Sequence, residues 1–190
     1  MIDKLPAGML PTDKNIEFFA DPQTFGKVFW ISEGRTRLFK ELPLRIMDDL
    51  RDELLSDTRA LKGLRMMGLS SEDEMLEQYN YCNRGKLDEK PNITASGIKS
   101  KEFVECGHRG KCSGEGRVCS PLLINGSRIT FRELECLKLI GIGMTYKRIT
   151  IEMGFRRETA VNSLIGRLRV KLQCASNIEI ALKVKELGLI

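Results

Sequence analysis

Four of the six cysteines in this 190-residue chain are spaced so that they could bind one metal ion. Cys106, Cys112 and Cys119 follow one another closely, and Cys82 lies 24 positions before the first of them. Four thiolates form the closed tetrahedral shell that Zn²⁺ prefers in structural sites, whereas disulfides are rare in cytosolic proteins. We therefore predict a structural zinc site with Cys82, Cys106, Cys112 and Cys119 as its ligands.

The residues between these thiols favour the same interpretation. Glycines allow the backbone to wrap around an ion and direct its N–H groups at the sulfurs, and basic neighbours favour the thiolate form. Residues 82–120 also lose helical periodicity and have few apolar side chains, so metal binding would supply the order that a hydrophobic core cannot. The glycines are Gly107, Gly110, Gly114 and Gly116, and the basic residues are Arg109, Lys111 and Arg117.

Two alternatives stay open, because the spacers between successive thiols are longer than those usual for zinc. Three close cysteines and one distant ligand also hold iron–sulfur clusters in redox-sensing regulators. The other alternative is that the thiols are free or disulfide-linked and bind no metal. His108, the only histidine, is separated from Cys106 by one residue, which strains ligation of one ion by both, so we expect it outside the ligand set.

The sequence does not predict an enzyme. A Gly-x-Ser-x-Gly elbow, a phosphate-binding Walker loop and a dinucleotide-binding glycine motif are all absent, and one histidine limits acid–base chemistry. No apolar run approaches the ~20 residues that span a bilayer, and the start Met1-Ile2-Asp3 lacks the features of a signal peptide. We expect a cytoplasmic protein that contacts no membrane.

Positive charge is concentrated in the C-terminal third of the chain. Residues 128–190 contain 12 lysines and arginines against 6 acidic side chains, a net charge of +6, whereas residues 1–127 have a net charge of −1. A basic segment beside a nearly neutral one is typical of a nucleic-acid-binding module on a separate domain. A solvated basic surface without a partner would produce the same asymmetry.

Residues 1–81 are expected to form a small α+β body. Residues 27–31 and 36–40 flank a polar tetrapeptide, a pattern typical of a short β-hairpin in which Gly34 takes a positive φ. Two or three helices follow, one of them beginning at the capping-box spacing of residues 71–74. Prolines and a glycine within residues 1–22 predict an irregular arm.

Residues 128–190 are expected to form four amphipathic helices. The second and third are joined by Gly154-Phe155-Arg156, the short turn of a helix-turn-helix. In such a unit the second helix of the pair lies in the DNA major groove and contacts bases with its first two turns. The predicted N-caps are Thr130, Thr145 and Ser176, and the third helix spans about residues 157–172.

Five motifs in residues 128–190 agree in one register. They are Ile129-Thr130-x-Arg132-Glu133-x-Glu135-x-Leu137, Gly143-Met144-Thr145-Tyr146-Lys147-Arg148-Ile149, Met153-Gly154-Phe155, Thr159-Ala160-Val161-Asn162-Ser163, and Ala181-Leu182 with Lys185-Glu186-Leu187-Gly188-Leu189-Ile190. Together they resemble the four-helix DNA-binding domain of the LuxR/GerE family of bacterial transcription regulators, which closes FixJ- and NarL-type response regulators. The resemblance implies that Thr159 and Asn162 lie at the DNA face and that the fourth helix pairs two copies.

This chain departs from the family pattern at three positions. The family's recognition helix usually begins with a small capping residue where this chain has Arg156, usually has lysine at Val161, and often has histidine at Ser163. The usual base contacts of the family therefore do not transfer directly, although Arg156 and Arg157 can compensate for the missing lysine. Residues 1–127 also lack the alternating β/α pattern of a phospho-receiver domain.

The candidate DNA contacts combine two kinds of side chain. Arginine and asparagine offer bidentate hydrogen bonds to base edges, and lysine, threonine and serine bind phosphates. The predicted contacts are Thr145, Lys147, Arg156, Arg157, Thr159, Asn162, Ser163 and Arg167.

These observations predict a mainly α protein with three parts. Residues 1–81 form the hairpin-plus-helices region, residues 82–120 the cysteine-rich zinc module, and residues 128–190 the LuxR-type helix-turn-helix domain. The expected function is sequence-specific regulation of transcription in a bacterial or phage-infected cell, through binding of double-stranded DNA as a homodimer paired by the last helix. The alternatives are an iron–sulfur redox-sensing regulator and a zinc-stabilised adapter that contacts RNA polymerase or another protein without reading DNA.

Overall fold

A computed structural model of the chain describes residues 5–21 and 23–190. The fold is mixed: the described residues form seven α-helices and three small antiparallel sheets. The chain divides into two compact units, Met1–Ser120 and Pro121–Ile190. Each unit is described by itself below.

The first unit begins with a three-stranded antiparallel sheet. Its strands are β1 (Glu17–Ala20), β2 (Val28–Ser32) and β3 (Arg35–Leu38), in the order β1-β2-β3. Strands β2 and β3 form the predicted hairpin, and its turn residues Glu33 and Gly34 both have positive φ, which suits the twist of the two strands. Strand β1 lies in the segment predicted to be irregular, so that expectation was wrong for this strand.

A 3₁₀ turn (Phe39–Glu41) leads into three helices, α1 (Leu44–Ser56), α2 (Thr58–Met66) and α3 (Glu72–Arg84). Their apolar faces meet the sheet in one core, in which Phe18, Leu54 and Leu76 are fully buried. The Asp57 carboxylate accepts a hydrogen bond from the Ala60 N–H and caps α2. Leu44 follows the helical spacing but is 82% exposed, because it lies in the first turn of α1.

The second half of α3 is buried on all sides and is fixed by a buried arginine. Arg84 is 1% exposed, and its guanidinium donates to the Glu53 carboxylate at 2.7 Å, to Asn80 Oδ1 at 3.2 Å and to the Lys99 carbonyl at 3.1 Å. Removing one partner of such a pair typically costs about 3–5 kcal/mol, because the other charge stays buried. This ion pair holds α3 against α1 and sets the position of the residues around Cys82.

After α3 the chain returns to the first sheet through a second, two-stranded sheet, β4 (Ile93–Thr94) and β5 (Gly97–Ile98). The fully buried carboxyl group of Glu17 on β1 accepts hydrogen bonds from the N–H groups of Asp88 at 3.1 Å and Asn92 at 3.0 Å. In return, the Asn92 side chain accepts the Phe18 N–H at 2.7 Å. These bonds replace a regular strand ladder between β1 and residues 88–92.

The second unit consists of a short hairpin and four helices. The hairpin strands β6 (Leu122–Ile124) and β7 (Ser127–Ile129) enclose Asn125 and Gly126, both with positive φ. The helices are α4 (Phe131–Gly141), α5 (Tyr146–Glu152), α6 (Glu158–Leu172) and α7 (Asn177–Glu186). Thr130, Thr145 and Ser176 cap α4, α5 and α7 as predicted.

The unit boundary differs from the sequence-based division. Residues 82–120 belong to the first unit, and a boundary between residues 81 and 82 would cut through α3. Within the described part of the chain, every helix is too short or too polar to cross a bilayer.

Glu17 makes the stability of the first unit depend on pH. Burial raises its pKa to about 8, the largest effect on this group, although two backbone N–H groups oppose the rise. The folded state therefore keeps a proton on Glu17 that the unfolded chain loses near pH 4.5, so we expect stability to fall as the pH rises from 4.5 towards 8. The slope is at most about 1.4 kcal/mol per pH unit for this one group.

Urea unfolding followed by the emission of Trp30 measures this slope, since Trp30 is the only tryptophan and is buried in the first unit. Glu17→Gln is expected to flatten the slope between about pH 6 and 8, relative to the unsubstituted protein. Some slope remains, because burial also raises the pKa of Glu102. An unchanged slope in Glu17→Gln would show that Glu17 does not titrate in this range.

Candidate nucleic-acid interface and cysteine cluster

All eight predicted DNA-contacting residues are exposed. Thr145 and Lys147 lie at the start of α5, Arg156 and Arg157 in the connection to α6, and the other four on α6 itself. The residues on α6 are Thr159, Asn162, Ser163 and Arg167. The structure therefore places the predicted contacts on the surface of one pair of consecutive helices.

The opposite face of α6 is buried in the helical core of the second unit. Its buried residues recur at the 3–4-residue spacing of a helix, so they select which side chains point outward. These buried residues are Val161, Leu164, Ile165, Leu168 and Leu172. Because Thr159 and Asn162 lie outside this stripe, its burial holds both side chains in solvent.

The connection between α5 and α6 is positioned by a residue on α4. Gly154 ends the α5 turn with φ +67°, and the Phe155 N–H donates to the Thr150 carbonyl at 2.9 Å. The Arg132 guanidinium donates to the Met153 carbonyl at 3.2 Å and lies 5.6 Å from the centre of the Phe155 ring. Arg132 thus fixes the angle at which the chain enters α6.

The N-terminus of α6 has no side-chain cap. The N-cap residue is Arg157, not Arg156, and its side chain accepts no hydrogen bond from the helix. The first-turn N–H groups of a helix have no acceptor within the helix and carry a partial positive charge. This end of α6 therefore combines exposed arginines with free backbone donors.

Two basic residues further along α6 hold the unit together instead of facing solvent. Arg169 donates to Asn177 Oδ1 at 3.0 Å, and Lys171 donates to the Glu133 carboxylate and the Arg128 carbonyl, both at 2.8 Å. Asn177 also donates to the Tyr146 hydroxyl at 2.9 Å. The sequence does not distinguish these internal contacts from surface charge, since most of the partners are distant along the chain.

In the first unit, three of the four predicted zinc ligands lie around one core. Cys82 is buried on α3, and Cys106 and Cys119 pack against the same core. Burial raises the pKa of the Cys82 thiol to about 12; a hydrogen bond from Gln78 opposes the rise, and the charges of the Cys119, Cys106 and Cys112 thiols add to it. The structure thus places around one core three thiols that are up to 37 positions apart in the sequence.

Two of these sulfurs accept N–H hydrogen bonds. Gln78 Nε2 donates to Cys82 Sγ at 3.3 Å, and the Gly114 N–H donates to Cys112 Sγ at 3.4 Å. Such bonds favour negative charge on sulfur and orient thiolates that bind metals.

The segment that carries Cys106, Cys112 and Cys119 is held by two polar side chains. Asn83, next to Cys82, donates to the Val118 carbonyl at 3.0 Å and accepts the N–H and hydroxyl of Ser120 at 3.1 Å and 2.9 Å. Arg109 is buried and donates to the carbonyls of Val104 at 2.9 Å and Ser120 at 3.1 Å. We call these two residues the Asn83–Arg109 clamp.

The thiols of the described residues do not surround a common point at which a metal ion could bind. In residues 5–21 and 23–190, no group of three or more His, Cys, Asp or Glu side chains is arranged to hold a metal ion, and all six cysteines are free. His108 is exposed, and its ring lies 4.1 Å from that of Phe25. Cys136 is buried on α4, whereas Cys174 lies after the end of α6 and is half-buried.

Comparison with known proteins gives no relatives. No family model matches the chain, and no curated protein and no solved structure matches it.

Asn83→Ala tests the Asn83–Arg109 clamp. The substitution leaves the buried carbonyl of Val118 and the N–H of Ser120 without partners, and we expect it to destabilise the first unit by about 2–3 kcal/mol. Urea unfolding monitored by Trp30 measures the loss. Labelling of Cys119 by a thiol reagent should also become faster, because residues 118–120 are released from α3.

Ser120→Ala is the matched control. It removes only the hydroxyl contact with Asn83 and keeps the backbone bond, so its cost should be at most about 1 kcal/mol. Equal losses in the two variants would mean that Asn83 does not hold this segment through its backbone contacts.

Proposed function

We propose that the protein is a sequence-specific DNA-binding transcription regulator, in which α5 and α6 act as a helix-turn-helix. The observation that carries this proposal is the exposure of Thr159 and Asn162 on the side of α6 opposite its buried stripe. A recognition helix needs this arrangement, because the side chains of its first two turns must reach base edges in the major groove. The resemblance of residues 128–190 to the LuxR/GerE family agrees with it.

The charges around α6 suit a phosphate backbone. Lys147, Arg156, Arg157 and Arg167 are exposed, and none forms an ion pair with a residue in the described parts of the chain. Their charges are therefore available to phosphates, whose neutralisation releases counterions and drives non-specific affinity. The uncapped N-terminus of α6 adds backbone donors that favour an anion.

The roles of the exposed side chains follow from their chemistry. Asn162 can form bidentate hydrogen bonds with adenine, and Arg156 or Arg157 can do so with guanine. Thr145 accepts a hydrogen bond from the Arg148 N–H as the cap of α5, so it positions that helix end. The Ser163 hydroxyl donates to the Thr159 carbonyl within α6, which leaves its oxygen lone pairs as acceptors.

The last helix supplies a surface for pairing two copies. Ile178 and Leu182 are 75% and 57% exposed on α7, whereas Ile180 and Val184 form its buried side. We propose that this exposed apolar strip pairs with its copy in a homodimer. A two-fold pair of this kind would place two recognition helices on two half-sites.

In the first unit, we propose that Cys82, Cys106, Cys112 and Cys119 hold a structural Zn²⁺. The donor set fits the ion, since four thiolates are its preferred structural shell. The N–H bonds to two of the sulfurs, and the position of Cys82, Cys106 and Cys119 around one core, support the proposal. The bound ion would cross-link α3 to the segment that follows it.

The alternatives differ in what they require. An iron–sulfur cluster would use the same thiols and make DNA affinity depend on redox state. An adapter that contacts RNA polymerase or another protein would use the exposed face of α6 without base contacts. No observation on the structure favours either over the zinc-bearing regulator.

Alanine substitutions on α6 test the DNA proposal. Asn162→Ala and Arg157→Ala are each expected to weaken binding to a selected operator by roughly 1–3 kcal/mol, because each removes a base contact. The operator would first be found by selection from random duplexes with the full chain. Fluorescence anisotropy at several salt concentrations measures affinity, which should fall steeply as salt rises.

Arg65→Ala is a charge-matched control. Arg65 is exposed on α2 in the first unit, so its loss should leave operator binding unchanged. If selection enriches no duplex sequence, or if Asn162→Ala binds the operator as tightly as Arg65→Ala does, the protein does not read DNA with α6.

Elemental analysis of the purified 190-residue chain tests the metal proposal. We expect about one zinc and no iron per chain, and no visible absorbance after anaerobic purification. Cys119→Ser should lower the zinc content, because it removes one of four ligands, whereas Cys174→Ser should not. Iron with visible absorbance would support the cluster alternative, and zinc retention unaffected by Cys119→Ser would exclude this ligand set.

A further inference from the structure

The first unit contains an open cavity of about 380 Å³ beside the cysteine cluster. It lies between the connection that precedes β2, the end of α2 and the segment that carries Cys112. Its volume falls within the range of small-molecule sites, about 300–1,000 Å³. The lining residues are Phe25, Met67, Leu69, Gln78, His108, Lys111, Cys112 and Ser113.

One wall of the cavity is apolar and is supported from behind. Phe25 packs edge-on against Tyr81, with ring centres 5.2 Å apart, and against His108 at 4.1 Å. Met67 and Leu69 complete this wall and pack against the hydrophobic core of the unit. The wall is therefore already formed without a ligand, which lowers the cost of binding an apolar group.

The rest of the lining offers a positive charge that the fold leaves unpaired. Lys111 is exposed and forms no ion pair with a described residue, and no carboxylate lines the cavity. Gln78 is 4% exposed, and its Nε2 donates to Cys82 Sγ. The cavity thus presents one uncompensated positive charge beside an apolar wall.

We propose that this cavity binds a small monocarboxylic acid with an aromatic or branched apolar body. The carboxylate would pair with the Lys111 ammonium, and the apolar body would lie against Phe25, Met67 and Leu69. All residues of this site belong to the first unit, so the proposal does not depend on DNA binding by the second unit.

The ligand would touch three segments that the sequence keeps far apart, at residues 25, 67–69 and 108–113. Binding would therefore stabilise the first unit, since it adds contacts only in the folded state. It would also restrain Cys112 and Ser113, whose hydroxyl already donates to the Met66 carbonyl at 3.2 Å.

Calorimetric titration of the purified 190-residue chain with phenylacetate and 4-methylpentanoate tests the proposal, with phenylacetamide as the neutral analogue. We expect saturable binding of at least one acid with Kd at or below about 1 mM, and binding of phenylacetamide weaker by about fivefold. Lys111→Gln should weaken acid binding by about fivefold, since it removes the cation. Lys62→Gln, which removes an exposed charge on α2 outside the cavity, should leave binding unchanged.

Leu69→Trp fills the cavity from its apolar wall and should abolish binding. The Trp30 unfolding transition becomes less specific in this variant, so its fold is checked by circular dichroism. Absence of saturable binding of either acid to the unsubstituted protein overturns the proposal. So does equal affinity in Lys111→Gln and Lys62→Gln, or binding that survives Leu69→Trp, which would place the acid elsewhere on the chain.

Discussion

The position of the cysteine-bearing segment in the first unit depends on the hydrogen bonds that Asn83 and Arg109 form with backbone groups. Residues 104–120 bury few large apolar side chains, and Val104 and Val118 are the buried aliphatic residues in this segment. A segment of this kind loses conformational entropy on folding without a matching gain from hydrophobic burial. Asn83 and Arg109 offset that loss by satisfying buried carbonyl and N–H groups, which would otherwise destabilise the fold. These hydrogen bonds therefore position the segment that carries Cys106, Cys112 and Cys119.

In the second unit, apolar burial and helix caps set the geometry, whereas residues 104–120 of the first unit depend on polar side chains. The stripe from Val161 to Leu172 fixes the rotation of α6, and Arg132 fixes the connection that leads into it. Arg169 and Lys171 then tie α6 to the neighbouring elements at its far end. The exposed side chains in the N-terminal half of α6 consequently take no part in the packing of the unit. Substitutions there can change what the surface binds without changing how the unit folds.

The elements that could be predicted from the sequence are those with local patterns. The caps at Thr130, Thr145 and Ser176, the hairpin around Gly34 and the outward position of Asn162 all follow from residues within one or two turns of each other. Strand β1 could not be predicted in this way, because it places Glu17 in the core and pairs that carboxylate with N–H groups 71 and 75 positions away. The hairpin β6–β7 is too short for its strands to show a periodic pattern. In the cysteine region, Asn83 contacts backbone atoms 35 and 37 positions away, and no periodic pattern marks such a residue.

The contacts of residues 104–120 change the role that a metal would have. From the sequence, a metal would be needed to order this segment, because its apolar content is too low. In the structure, the Asn83–Arg109 clamp already holds residues 104–120 in place without a metal. An ion would then bind a partly organised ligand set, and less of its binding free energy would be consumed in ordering the chain. It follows that the order of this segment does not by itself require a bound metal. The second unit likewise does not depend on a metal in the first unit, because α6 packs through its own apolar stripe.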